Sequence, residues 1–248
     1  MDLPRSFVIR EQHHRIHDPY TEEKFAVLGR AIGLRAGTTV LDLACGSGEM
    51  LCLWARDHGV TGTGVDISTH FLGNARRRAV ELGVADRLTF VHADAGGHVE
   101  PTGVDVAACV GATWLGGGVA GTIELLERSL RPGGLLLIGE PFWRADPPDQ
   151  ATVEGCHASA KEDFRDLPGL VAQFRDLGWD LVEMVLADGD SWDRYVAAQW
   201  FTVRQWLDAN PDDELAGEFR AELDRAPLDY VRYQRPYLGW GVFALKRR

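Results

Sequence analysis

Long apolar runs are almost absent from this chain of 248 residues. The longest stretch without a charge, the 18 residues from Val106 to Ile123, carries Gly111, Gly116, Gly117, Gly118 and Gly121 and lies between Asp105 and Glu124. A membrane helix needs roughly 20 apolar residues, so a buried strand running into a glycine-rich loop accounts for it better. Met1-Asp2-Leu3-Pro4-Arg5 leads into a charged, His-rich segment, and no secretory signal is expected. Cysteine is sparse too. Cys45, Cys52, Cys109 and Cys156 fall in no Cys-x-x-Cys or Cys/His spacing, which argues against a disulfide framework or a structural metal and for reduced thiols in a cytoplasm. Positive charge is the third shortage: 26 Lys and Arg stand against 37 Asp and Glu, a formal net charge of −11. The basic clusters Arg76-Arg77-Arg78 and Lys246-Arg247-Arg248 are short, so neither a general nucleic-acid binder nor a membrane partner is expected.

What is present is an alternation of two patterns. Short apolar runs bounded by Gly, Asp or Pro read as buried parallel strands. They are Thr39–Leu43, Gly62–Asp66, Leu88–Ala93, Val104–Val110 and Leu135–Gly139. Between them lie helical stretches. Glu49–His58 stops at Gly59; a helix capped by Ser68 carries Phe71, Leu72, Ala75, Ala79 and Leu82 on one face and stops at Gly83; Ile123–Leu130 closes at Arg131-Pro132-Gly133-Gly134. Such alternation predicts an α/β domain, a parallel sheet with helices on both faces. Beyond it, 163–177 reads as a helix, 180–187 as a strand, 192–225 as mostly helical with a break at Asn210-Pro211, and 238–245 as a last strand. The chain therefore divides into a helical N-terminal cover (1–35), a ligand-binding core (36–141) and a helical insertion (189–228), all in one domain. No internal repeat or low-complexity segment interrupts it.

The informative stretch is Val40-Leu41-Asp42-Leu43-Ala44-Cys45-Gly46-Ser47-Gly48-Glu49, a strand that enters a Gly-x-Gly turn and then a helix. Glycine lets backbone approach a ligand with no Cβ in the way. Asp66, 20 residues beyond Gly46 at the end of the next strand, can accept hydrogen bonds from both hydroxyls of a ribose. Dinucleotide sites call for a third glycine where pyrophosphate meets the helix, and here that position is Leu51. Asp42 and Glu49 flank a turn without a basic residue, which repels phosphate and suits a ligand bearing ammonium or sulfonium. S-adenosylmethionine (SAM) is such a nucleoside, and a dehydrogenase is the least favoured alternative.

At this point the chain resembles the class I SAM-dependent methyltransferases, and among them the small bacterial YjhP type. Val40–Gly48 looks like the first motif of that superfamily, Val65-Asp66-Ile67 the second and His92-Ala93-Asp94-Ala95 the third. Asp105–Trp114 looks like the fourth, and Arg131–Gly134 like the motif before the fifth strand. The resemblance implies a three-layer, Rossmann-like, seven-stranded, mostly parallel sheet with the last strand antiparallel. It implies SAM as cofactor and S-adenosylhomocysteine as product. Carried over, Ala44, Gly46 and Gly48 would border the methionine tail, Asp42 would hold its amino group and Asp66 the ribose. Asp94 and Ala95 would face the adenine edge, Ile67 its ring, and Gly111 would lie under the methionine carboxylate or sulfonium. Read alone, Asp94 also reads as a surface acid, and Asp66 also as a turn before a helix cap. Asp105, at the start of its strand, reads as structural.

The acceptor side is less legible. Methyl transfer is an in-line displacement in which positioning supplies much of the rate, so no catalytic side chain has to recur. His14 and Glu140 are candidates for catalysis, and Trp114, Trp143 and Tyr195 for contact with the acceptor. On a charged segment His14 also reads as a solvated residue, and His13-His14-x-x-His17-Asp18 lacks the further ligands a metal would need. Trp192, Tyr195, Trp200 and Trp206 suit one buried helix face, and packing is the plainer reading. A small-molecule acceptor is expected, bound by a monomer or homodimer. Two alternatives keep SAM: other chemistry that releases methylthioadenosine, and a non-catalytic binding module.

Overall fold

The computed structural model describes residues 2–248. Its elements, in chain order, are α1 (Arg5–Glu11), α2 (Glu22–Ala31), β1 (Thr39–Leu43), α3 (Glu49–His58), β2 (Thr61–Asp66) and α4 (Thr69–Glu81). Then come β3 (Leu88–His92), β4 (Val104–Val110), α5 (Val119–Glu127), β5 (Leu130–Trp143), α6 (Gln150–Gly155) and α7 (Leu167–Asp176). The chain ends with β6 (Trp179–Leu186), α8 (Gly189–Ala209), α9 (Ala216–Asp229), a π-helical turn (Tyr230–Gln234), α10 (Arg235–Tyr237) and β7 (Leu238–Arg247). The seven strands form one sheet in the order β3-β2-β1-β4-β5-β7-β6, with β7 antiparallel to both neighbours. The expected sheet is therefore present, strand for strand. Among the described residues no helix is long and apolar enough to cross a membrane.

Local chemistry sets the helix limits where it was expected to. Ser68 Oγ accepts from Phe71 N (3.3 Å) to open α4, and Gly59 ends α3 at φ 70°. Two apolar clusters sandwich the sheet. Leu51, Trp54, Leu72 and Phe25 of α2–α4 fill one face; Leu126, Leu170 and Phe174 of α5 and α7 fill the other. Pairing of Val104 with Leu130 and of Val106 with Leu135 lets Arg131–Gly134 bulge out of β5, so the expected turn lies inside a longer strand. Asp105 is structural, as expected: its Oδ2 accepts from Thr39 N (2.8 Å), and Arg131 donates to its Oδ1 (3.1 Å).

Three differences concern the outer pieces. A short α1 precedes the expected helix of the cover; α5 starts at Val119 rather than Ile123; and helix continues through the π-helical turn and α10 up to β7. Ile9 of α1 packs with Val203, Trp206, Leu207 and Phe219 of α8 and α9, so Trp206 is a packing residue. Buried charge also has a place in the frame. Glu49, 2% exposed at its side chain, is gripped by Arg78 of α4 through Nε (2.9 Å) and Nη2 (2.7 Å). Removing one partner of such a pair leaves an uncompensated charge in the interior. Arg78→Met should therefore cost about 3 kcal/mol, read as a lower urea midpoint, and Arg78→Lys should cost less.

Candidate active site

β1, β2, β3 and β4 end at one edge of the sheet, and their following turns enclose a cavity of about 320 Å³, within the range of small-ligand sites. Ala44, Gly46 and Ser47 line it from β1, Asp66 and Ile67 from β2, and Asp94 and Ala95 from β3. Gly111, Ala112 and Trp114 line it from β4, and Leu3, Phe7 and the segment Arg15–Asp18 of the cover close it. All nine positions expected at the cofactor except Gly48 border this one space. Gly48 lies behind it: a Cβ there would meet Phe90 (2.7 Å) and Ala75 (2.8 Å), so this glycine serves close packing of α3 on the core.

The turn itself is held in a strained form. Ala44 has φ 60°, a left-handed conformation that costs a side-chain-bearing residue about 1–3 kcal/mol. Asp66 locks the turn in place, with Gly46 N donating to its Oδ2 (2.8 Å) and Ser68 N to its Oδ1 (2.8 Å). Each oxygen keeps a second lone pair for a ligand hydroxyl. Asp94, exposed at the rim, accepts from Gly96 N (2.9 Å) through one oxygen. Gly46 is bare for a reason not foreseen: a Cβ there would sit 2.8 Å from Nδ1 of His17, whose Nε2 lies 3.2 Å from Ser47 Oγ. Leu51 occupies the third-glycine position because the small residues are on the strand instead, where Gly62 and Gly64 of β2 receive it.

Charge dominates the lining. Asp18, Asp42, Glu49, Asp66 and Asp94 face one arginine, Arg15. Glu49 is neutralised by Arg78, so it no longer argues for a cationic ligand; the other four acids do. Asp42 is 4% exposed, and among the described residues no group donates to its carboxyl or to that of Asp18. Burial pushes Asp42 well above the usual carboxylate range, with Asp66 and Asp18 adding to it. Burial raises Asp18 to about 8, reinforced by Glu11. His17 is shifted the other way: burial favours its neutral form.

The expected acceptor-side residues mostly lie elsewhere. Only Trp114, 69% exposed at the mouth, lines the cavity. His14 is turned away from it, with Nδ1 2.7 Å from Glu11 Oε2 and its ring 5.1 Å from that of Tyr195. Tyr195 donates to the carbonyl of His17 (2.8 Å) and to Glu11 (3.2 Å), propping the cover from behind. Trp143 is buried in a separate cluster with Val153, Cys156 and Leu238, and its Nε1 donates to Lys161 O (2.8 Å). Glu140 sits behind the wall, accepting from Thr113 Oγ1 (2.7 Å). The geometry thus removes His14, Glu140, Trp143 and Tyr195 from direct contact with a ligand in the cavity. From the His13-His14-x-x-His17-Asp18 cluster it brings His17 and Asp18 to the cavity instead, and it adds Arg15, whose only sequence signal was membership of the polar cover.

Comparison with known proteins decides what this edge is. A model described as a methyltransferase domain matches residues 40–134. The chain is 59% identical over all 248 residues, and over the whole of the relative, to the protein YjhP of Escherichia coli (strain K12). It belongs to the YjhP type of class I SAM-dependent methyltransferases. A SAM-dependent methyltransferase from Geobacter sulfurreducens, solved with S-adenosylhomocysteine, superposes with a TM-score of 0.98 at 62% identity, covering 100% of this chain and 99% of that one. A 27-O-demethylrifamycin SV methyltransferase from Amycolatopsis mediterranei (strain S699) is 31% identical over 137 residues, half of each chain. The cofactor is accordingly SAM. The cavity fits it: an acidic, phosphate-excluding space with a donor-starved carboxyl, Asp42, at the glycine edge.

Two outcomes test this geometry. Gly111 has φ 78°, and a methyl group there would fall inside contact distance of Asp18 Oδ1. Gly111→Ala should displace the cover and weaken S-adenosylhomocysteine binding at least about tenfold by calorimetry (1.4 kcal/mol), with the far-UV spectrum unchanged. Glu140 is raised by burial to about 7, against the pull of its Thr113 bond. Its proton stabilises the fold fully below the ordinary carboxyl range, and that contribution is lost as pH rises through 7. Glu140→Gln should flatten this part of the pH–stability curve, matching wild type at pH 4 and exceeding it at pH 8 in urea titrations.

Proposed function

We propose that this enzyme moves a methyl group from SAM to a small molecule held beside it in the same cavity. The observation that carries the reading is the roof: Arg15–Asp18 of the cover lie over the turn of β1 and against Gly111, so the space is covered on that side. An acceptor the size of a folded protein or a duplex would not reach beneath it. The partial likeness to an enzyme named for a rifamycin substrate supports a small-molecule acceptor. The four free cysteines suit a reducing cytoplasm.

Within this reading the chain's residues have distinct tasks. Bound SAM supplies a methyl group on a sulfonium, open to attack in line with the departing sulfur. Asp42 takes the amino group of the tail, which passes the backbone of Ala44 and Gly46. Asp66 accepts from the ribose hydroxyls with the lone pairs its backbone partners leave. Asp94 accepts from the adenine amino group, Ala95 offers its N–H to the ring, and Ile67 packs on the ring face. Gly111 gives the sulfonium a wall without a side chain. Trp114 presents its ring at the mouth, where an acceptor enters. Burial of Asp42 and Asp66 keeps water from their carboxyls, which strengthens their contacts.

Asp94 is the cleanest probe of the placement. Asp66→Ala would also release the turn from Gly46, whereas Asp94 holds only its own small loop. Asp94→Ala should weaken both SAM and S-adenosylhomocysteine by about tenfold, the worth of one hydrogen bond to a charged group. Unchanged calorimetric affinity would refute the adenine placement. A screen of small metabolites with methyl-labelled SAM should yield a labelled product together with S-adenosylhomocysteine; release of methylthioadenosine would point to other chemistry.

A further inference from the structure

Two carboxyls in the cavity lack a hydrogen-bond partner among the described residues, and the cofactor has one ammonium to offer. Asp42 stands on β1 beside the turn, where that ammonium is placed above. Asp18 comes from the cover and packs on Gly111 at the end of β4, on the side where the roof closes. Its residual exposure faces the cavity. Asp18 is half-buried and open to the cavity, and no side chain or backbone N–H among the described residues donates to its carboxyl, so it is free to take a hydrogen-bond donor from a bound molecule other than the cofactor. We propose that Asp18 is a catalytic residue that receives the proton of the acceptor's nucleophile, so that the acceptor is an amine or a hydroxyl compound. This rests on the cofactor placement proposed above.

The step balances with the groups at hand. The nucleophile's lone pair forms the bond to the methyl carbon, the carbon–sulfur pair leaves on sulfur, and the N–H or O–H proton passes to a carboxylate oxygen of Asp18. No metal and no other co-reactant is required. Burial raises the proton affinity of Asp18 to about 8, and the positive charge of bound SAM favours the ionised form that the step needs. The titratable groups coupled to it are Glu11 from α1, Asp42 from β1, Cys109 from β4 and Tyr195 from α8, and Arg15 and His17 of its own segment line the same cavity. His17 is a poorer candidate. One ring nitrogen lies 3.2 Å from Ser47 Oγ, and the other is pressed against Gly46.

Binding can test this before the acceptor is known. Three nitrogen analogues of the cofactor replace sulfur by nitrogen and the methyl by an aminoethyl, a hydroxyethyl or an isosteric propyl arm. Wild type should bind the aminoethyl or the hydroxyethyl analogue at least tenfold more tightly than the propyl one, and the preferred arm names the nucleophile. In Asp18→Asn the preference should fall below threefold while affinity for S-adenosylhomocysteine changes less than threefold. In Asp42→Asn the preference should persist, with all three analogues and S-adenosylhomocysteine weakened. Equal binding of the three arms by wild type, or an undiminished preference in Asp18→Asn, overturns the proposal. So does a tenfold loss of S-adenosylhomocysteine in Asp18→Asn, which would put Asp18 on the cofactor's own ammonium. Failure of Asp42→Asn to weaken S-adenosylhomocysteine would instead overturn the cofactor placement.

Discussion

Folding places Asp18 and Asp42 in one cavity with no donor for either among the described residues, and much of the site follows from that burial. A carboxylate stripped of water is among the most expensive groups a fold can hold, and it responds by keeping its proton. Both groups are shifted that way. The cores on the two faces of the sheet hold the edge in place despite this cost. A ligand that brings fixed positive charge relieves it, so cofactor binding and stability are linked.

Backbone exposure at this edge is arranged with unusual economy. Gly46 and Gly111 are kept bare by side chains of the cover, His17 and Asp18, as well as by any ligand. Asp66 joins the turn of β1 to the start of α4 through two backbone N–H groups, so the carboxylate placed at the ribose is also the clasp of its own pocket. A pyrophosphate site would place a glycine on the helix; here Leu51 stands on the helix and Gly62 and Gly64 on the strand. Helix and sheet approach as closely, but with an acidic turn that admits no phosphate.

Most of the fold could be read from the residues, because it rests on local signals, and the positions that the resemblance puts at the cofactor, Gly48 apart, gather at one cavity. Strands β1 and β4 fall at the expected limits, and Ser68 and Gly59 bound their helices. The seven strands also come out in the expected sense, with β7 antiparallel. The acceptor side was illegible for a physical reason. Whether His14 or His17 enters the cavity depends on how a seven-residue helix is rotated against α8, more than 180 residues away. Trp143 and Glu140 sit just past the expected end of β5, but the strand runs on, and its alternation sends one into a separate core and the other behind the wall. The spacing of Trp192, Tyr195, Trp200 and Trp206 was compatible with a pocket or a packed face; Tyr195 and Trp206 pack.

That dependence explains the insertion. A helix as short as α1 has little stability of its own, and it keeps its place through Arg5 to Asp213, Arg10 to Glu222 and the buried Glu11 to Gln199 and Tyr195. Burial alone would raise Glu11; the hydrogen bond and charge of His14 outweigh it and hold the carboxyl low. Glu11 is thus an anchored carboxyl on the hidden side of the cover, while Asp18, seven residues on, is an unanchored one on the open side. Tyr195 connects the two, touching Glu11 and the carbonyl of His17. Helices α8 and α9 therefore set the depth at which His17 and Asp18 enter the cavity without lining it themselves. The strand ends are held by the sheet, whereas the strap's position is dictated from outside it. A change in α8 would then shift His17 and Asp18 while the cavity residues at the ends of β1, β2 and β3 keep their places.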